Sequence, residues 1–315
     1  MREKGFSSPA DLLEYLKTEY FFPQSGEDFE LQVGGEDLSG ADSESVLDEL
    51  CSGQYRVNSL MDQVLPVLSI GIKERVFQEV AFGVVSSREF NATCVKSNDN
   101  KYAILINKGL MMYLNKMGKI DLVMNRPELV KYCSEKKDGK VTSADLTNYQ
   151  STLVNSYRQF GLPQGPIINI DQSLQITYDK VLFIWQLFVL CHELAHYLNR
   201  DFDKILVDPQ KVPWLLAGER YYIKEFKADQ KAFYLVAETI KRKYGYNTDQ
   251  RFILVTLARL FKHISLISND KMSVYHPPGR ERISRLKEKY FKSEDVEGLL
   301  AKGERDFYHC LSAIS

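Results

Sequence analysis

The chain has 315 residues, with 41 Lys and Arg against 42 Asp and Glu, for a net charge of −1. This balance gives no basic footprint for nucleic acid, and a hydrophobic content of 44% is enough for a sizeable core. The five cysteines, Cys51, Cys94, Cys133, Cys191 and Cys310, are odd in number and show no paired spacing. That argues against a disulfide framework and for a reducing compartment. The start Met1-Arg2-Glu3-Lys4 lacks the apolar run of a signal peptide. The longest apolar run, Val181 to Cys191, is shorter than the ~20 residues of a membrane span. The expectation is therefore a cytoplasmic protein with no membrane partner.

Residues 1–22 read as helical, since Leu12, Leu13 and Leu16 fall at helix spacing. Residues 26–49 hold nine acidic residues, from Glu27 to Glu49, and no Lys or Arg. This composition predicts a solvated loop, with a basic partner or coverage of a cleft as the alternative. Residues 58–80 predict one or two helices around Pro66. Val80–Val85 and Tyr102–Ile106 read as strands separated by a polar stretch, Lys96 to Lys101. A helix begins near Leu110. Residues 134–142 form a charged loop, 144–160 a helix, and 161–166 a Gly/Pro turn cluster. A sheet edge could hold an extended polypeptide by strand addition, and Ala103–Ile106 is the candidate strand.

The next segment carries the chemistry. Val181 to Cys191 is almost wholly apolar and predicts a buried helix, interrupted only by Gln186. It leads into His192-Glu193-Leu194-Ala195-His196. Positions i and i+4 of a helix lie on one face, so His192 and His196 can bind one metal ion. Glu193 can reach a water on that ion, which is the arrangement of a zinc-dependent peptidase. Two exposed polar residues would be the bland reading, but buried His and Glu need partners. Cys191, adjacent to His192, points about 100° away and reads as core.

A catalytic zinc site needs a third protein ligand and an open position. One peptidase class places Gly and His at the third and sixth positions after the second His. Here these are Asn199 and Phe202, which excludes it. Downstream, Glu225-Phe226-Lys227-Ala228-Asp229 puts Glu225 and Asp229 on one helix face, and Ala228 and Ala232 allow close helix approach. Glu225 is the candidate third ligand, with Asp229 accepting from the ring N–H of a ligating His. Glu219, Asp229 itself, Asp201 and Asp203 are the rivals.

These two motifs resemble the gluzincin clan of zinc metallopeptidases, with the intracellular Lit-like phage-exclusion peptidases and ImmA/IrrE-type proteases nearest in character. Tyr275-His276-Pro277-Pro278-Gly279-Arg280-Glu281-Arg282-Ile283 is similar to a run that closes the catalytic domain in several gluzincin families. His276, Tyr275 and Arg280 could donate to the oxyanion of peptide hydrolysis. Alternatively Pro277-Pro278 simply starts a helix, with the arginines in ion pairs beside it.

The expected fold is α+β, mostly helical and zincin-like, with a small β-sheet. Residues 1–75 would form an N-terminal helical region, 76–292 the peptidase domain, and 293–315 a helical tail. The expected function is an intracellular zinc endopeptidase of narrow range, regulatory or phage-defence and toxin-like. It would bind one Zn2+ and act on a protein or peptide substrate. The alternative is a regulatory binding module that keeps the fold with a structural or vestigial zinc.

Overall fold

The apolar run ahead of His192 becomes the central helix of the protein. In the computed structural model, which describes residues 5–19, 53–87, 91–136, 140–202, 214–245, 249–268, 276–291 and 295–312, it is the 25-residue helix Gln175–Asn199. The acidic segment 26–49, Asp203, Tyr275 and the side chain of Glu219 lie outside the described residues.

In chain order the helices are α1 (Pro9–Glu19), α2 (Gln54–Val64), α3 (Ile70–Glu79), α4 (Lys108–Val123), α5 (Ser143–Phe160) and α6 (Gln175–Asn199). They continue as α7 (Trp214–Tyr244), α8 (Gln250–Ile267), α9 (Gly279–Tyr290), α10 (Asp295–Arg305) and α11 (Phe307–Ser312). The strands are β1 (Val80–Val85), β2 (Ala92–Lys96), β3 (Tyr102–Asn107), β4 (Val130–Cys133) and β5 (Ile168–Ile170). The class is α+β, mostly helical, with a small mixed sheet.

Every residue of α6 from Val181 to Ala195 is buried, as expected for a helix that is apolar on all sides. Helices α4, α7 and α8 and strands β2 and β3 surround it. Gln186 is fully buried, and its Oε1 accepts from Arg56 Nε at 2.6 Å, so its polar end is satisfied. The window Gln172–Asn199 is long and apolar enough to cross a membrane, yet 89% of its apolar stretch is buried inside the protein. Ala228 and Ala232 on α7 are fully buried and keep the side-chain layer between α6 and α7 thin.

The local signals explain the element ends. Thr142 and Asp145 form a reciprocal capping box at the start of α5, and Gly161 closes that helix at φ 72°. Asn107 caps α4 by accepting from the Gly109 N–H. A Cβ at Gly109 would lie 1.8 Å from the Gly161 carbonyl oxygen, so the α4–α5 junction requires glycine there.

The three-stranded sheet has the order β1-β3-β2, with β1 parallel and β2 antiparallel to β3. This corrects one expectation. Ala103–Ile106 lies in β3, the central strand, buried along its whole length and paired on both sides. It cannot accept another strand. The edge beside α6 is β2, which the sequence pattern missed because five residues, Ala-Thr-Cys-Val-Lys, carry almost no periodicity. The two-stranded ladder of β4 and β5 was missed for the same reason. Helix α7 also begins eleven residues ahead of Glu225.

One apolar cluster runs from Val57 on α2 through the sheet and α6 to Leu311 on α11. A smaller cluster joins Leu12, Leu13 and Leu16 of α1 to Val85, Ala103 and Leu105 on the other face of the sheet.

Candidate metal centre

His192 and His196 project from one face of α6 toward Glu225 on α7. Their Nε2 atoms are 3.2 Å apart. Glu225 Oε2 lies 3.3 Å from His192 Nε2, and Oε1 lies 3.3 Å from His196 Nε2. Each ring thus faces a different oxygen of the Glu225 carboxylate, and the three residues form a triangle whose donor atoms, one from each, lie within 4.8 Å of one another. Zinc bonds of about 2.0–2.1 Å at tetrahedral angles would separate ligand atoms by roughly 3.3 Å, so the group fits one small ion. His192 and Glu225 are buried and His196 nearly so. This buried group could hold a metal ion.

The remaining polar atoms of the triangle are held by further side chains. Asp229 Oδ1 lies 3.0 Å from His192 Nδ1. Asp201 Oδ2 lies 2.8 Å from His196 Nδ1. Each carboxylate accepts an Nδ1–H, which leaves the Nε2 lone pair facing the triangle. Asp229 is itself clamped by Arg282, whose Nε and Nη2 donate to Oδ2 and Oδ1 at 2.7 and 2.5 Å. The Arg282 guanidinium lies 4.2 Å over the Phe261 ring. His276 Nδ1 sits 2.8 Å from Glu225 Oε2 while its side chain stays 47% exposed.

The electrostatics are those of a cage that seeks positive charge. Burial alone would lower His196, but its hydrogen bonds to the Asp201 and Glu225 carboxylates raise it to about 10. Burial would likewise raise Glu225, but the hydrogen bonds from His192, His196 and His276 hold it well below the usual carboxylate range. Asp229 is also lowered, its burial being outweighed by the charge of Arg282. A divalent cation at the triangle supplies the same compensation as the imidazolium protons.

Glu193 occupies a different position. It is nearly buried, yet its carboxylate makes no hydrogen bond or ion pair among the described residues. It lines a cleft with His192, His276, Asn91, Ala92 and Leu110. Asn91 Oδ1 accepts from Tyr157 Oη at 2.7 Å, which fixes the entry to β2 beside this cleft. Cys94, in the middle of β2, is buried, and burial followed by the charges of Glu193 and Asp201 pushes its thiol well up. It is therefore no thiolate donor.

Of the residues singled out in the sequence, the fold brings His192, His196, Glu225, Asp229, Glu193 and His276 to one place. Asp201, a rival for third ligand, holds the back of the His196 ring. Arg280 is exposed and makes no hydrogen bond or ion pair among the described residues. Arg282 makes the kind of ion pair that the alternative reading gave the arginines of this run; that its partner is Asp229, and the position of Asn91, were not legible. The signal for Asp201 was faint: it follows Arg200, whose left-handed φ of 55° turns the chain back onto His196.

Comparison with family models, curated proteins and solved structures finds no match to this chain.

Proposed function

We propose that this chain is an intracellular zinc-dependent endopeptidase with a zincin-like catalytic core. One observation carries the reading: the Glu193 carboxylate, without a hydrogen bond or ion pair among the described residues, stands beside a three-donor triangle, in a cleft bordered by β2, an edge strand of the described sheet. Two imidazoles and one carboxylate form a donor set that suits catalytic zinc and leaves a position open. A bound zinc ion would polarise the scissile carbonyl and lower the pKa of water. Glu193 takes the proton of the attacking water and returns it to the leaving amine. His276 lines the same cleft with Nδ1 on Glu225, where its imidazolium form, which carries a proton on both nitrogens, donates from Nε2 to the oxyanion. Asp229 and Asp201 keep both imidazoles in the tautomer that presents Nε2. The edge of β2 takes the substrate backbone in extended form.

The substrate is a protein or peptide, and a narrow range would suit a regulatory, phage-defence or toxin-like role. The test is a proteomic comparison of cells that express the wild type or Glu193→Gln. New termini that appear only with the wild type support the peptidase. Identical proteomes, together with a phenotype that Glu193→Gln retains, would favour a binding module on the same scaffold.

A further inference from the structure

β2 connects two clefts. It begins at Ala92, which with the preceding Asn91 lines the cleft of Glu193, and it ends at Lys96, paired with Tyr102. Tyr102 lines a second, polar cleft of about 390 Å³. Three cations enter that cleft from separate elements: Arg75 from α3, Lys101 from the turn before β3, and Arg200 from the end of α6.

Two carboxylates share this cleft, one fewer than the cations, and each accepts a hydrogen bond from a neutral donor. Glu79 Oε2 accepts from Tyr197 Oη at 2.9 Å, and Asp99 accepts from the Phe6 N–H. The side chains of Arg75, Lys101 and Arg200 make no hydrogen bond or ion pair among the described residues. Arg200 also stands in the left-handed region at φ 55°, a helix-ending position that glycine fills with less strain. The backbone conformation there aims a cationic side chain at the cleft. Rings of Tyr102, Tyr197 and Phe202 separate the cleft from His196, with Tyr102–Tyr197 centroids at 4.8 Å and His196–Phe202 at 6.3 Å.

We propose that this cleft binds an oxyanion carried by the polypeptide that lies along β2, as an acidic or phosphorylated side chain. Three cations against two carboxylates in one concavity, none of the three in an ion pair among the described residues, favour such a group. The placement on a substrate rests on the peptidase reading above; the anion site itself does not. Ala92 and Lys96 are four residues apart, about 13 Å at roughly 3.3 Å per residue. The anionic residue therefore sits on the order of four to six positions from the scissile bond.

Two measurements test this. The first is fluorescence anisotropy of capped, labelled alanine-based peptides carrying Glu, phosphoserine or Lys, titrated with the full-length Glu193→Gln chain. The acidic or phosphorylated peptide should bind at least about tenfold tighter than the Lys peptide, and salt should weaken it. Replacing Arg75, Lys101 and Arg200 by Ala should remove that preference while circular dichroism and zinc content stay unchanged. Equal binding of all peptides, or a preference that survives the triple substitution, overturns the anion site. The Glu and phosphoserine arms tell the two anion sources apart. The second is cleavage of a positional peptide library by the wild type. It should show acidic or phosphorylated residues enriched on one side of the cut, four to six positions away. No enrichment, or enrichment that persists in the triple variant, overturns the placement. If no peptide is cleaved while the binding preference holds, the peptidase reading fails and the anion site stands.

Discussion

Asp229 and Arg282 form a buried two-bond ion pair directly behind His192, with Asp229 Oδ1 3.0 Å from His192 Nδ1. The carboxylate thus serves two masters, and its orientation toward the imidazole depends on the arginine. Removal of a partner that orients a metal-bound His typically costs about 10–100-fold in metal affinity. Asp229→Asn should weaken zinc binding by that factor, measured by competition with a chromophoric chelator. Arg282→Ala leaves Asp229 as an uncompensated buried charge and should cost about 3–5 kcal/mol of stability in urea unfolding. Unchanged affinity and stability in both variants would show that the pair is idle.

Glu193 lies beside the donor triangle without belonging to it. Glu193→Gln should therefore keep stoichiometric zinc and the wild-type melting temperature while lowering peptide cleavage by at least about 100-fold. Atomic absorption and a quenched-peptide assay read both properties. Zinc loss in this variant would place Glu193 among the ligands and remove its role as base.

Substituting a triangle member should act in the opposite way. His196→Ala and Glu225→Ala should each lose zinc under conditions where the wild type retains one equivalent. Retained stoichiometric zinc in either variant refutes that residue as a ligand.

A second buried charge cluster should contribute to acid sensitivity. Asp121 on α4 contacts His263 Nε2 at 2.6 Å and Arg259 Nε at 3.1 Å, both from α8. Burial would raise this carboxyl, but His263 and then Arg259 hold it below the usual range. Its folded pKa is therefore depressed. The stability it contributes is present above the unfolded value of about 3.9 and is lost as pH falls through the folded value. Asp121→Asn should cost about 3 kcal/mol near neutral pH and flatten the loss of stability between about pH 5 and pH 2. A wild-type slope in the variant would assign the acid sensitivity elsewhere.

Gly109 tests the junction that seats the end of the sheet against α4 and α5. Gly109→Ala would push a methyl group into the Gly161 carbonyl oxygen, 1.8 Å from the ideal Cβ. The expected loss is about 1–3 kcal/mol, from overpacking against backbone that cannot swing away. Calorimetry should show it as a lower melting temperature.

His192, Glu193 and His196 were legible because their relation is local: a helix repeats every 3.6 residues whatever packs around it. The apolar run that buries α6 and the turn cluster that closes α5 at Gly161 were legible for the same reason. The choice among Glu225, Asp229 and Asp201 was not local. Glu225 and Asp229 share a face, and only the packing of α7 against α6 decides that Glu225 reaches both Nε2 atoms while Asp229, one turn on, reaches Nδ1. Strand order is likewise a long-range property. Tyr102–Asn107 carries the stronger strand pattern because it is central and buried, and that burial disqualifies it as the open edge. The weakly patterned Ala92–Lys96 becomes the edge because pairing with β3 and contact with α6, not its own residues, hold it in place.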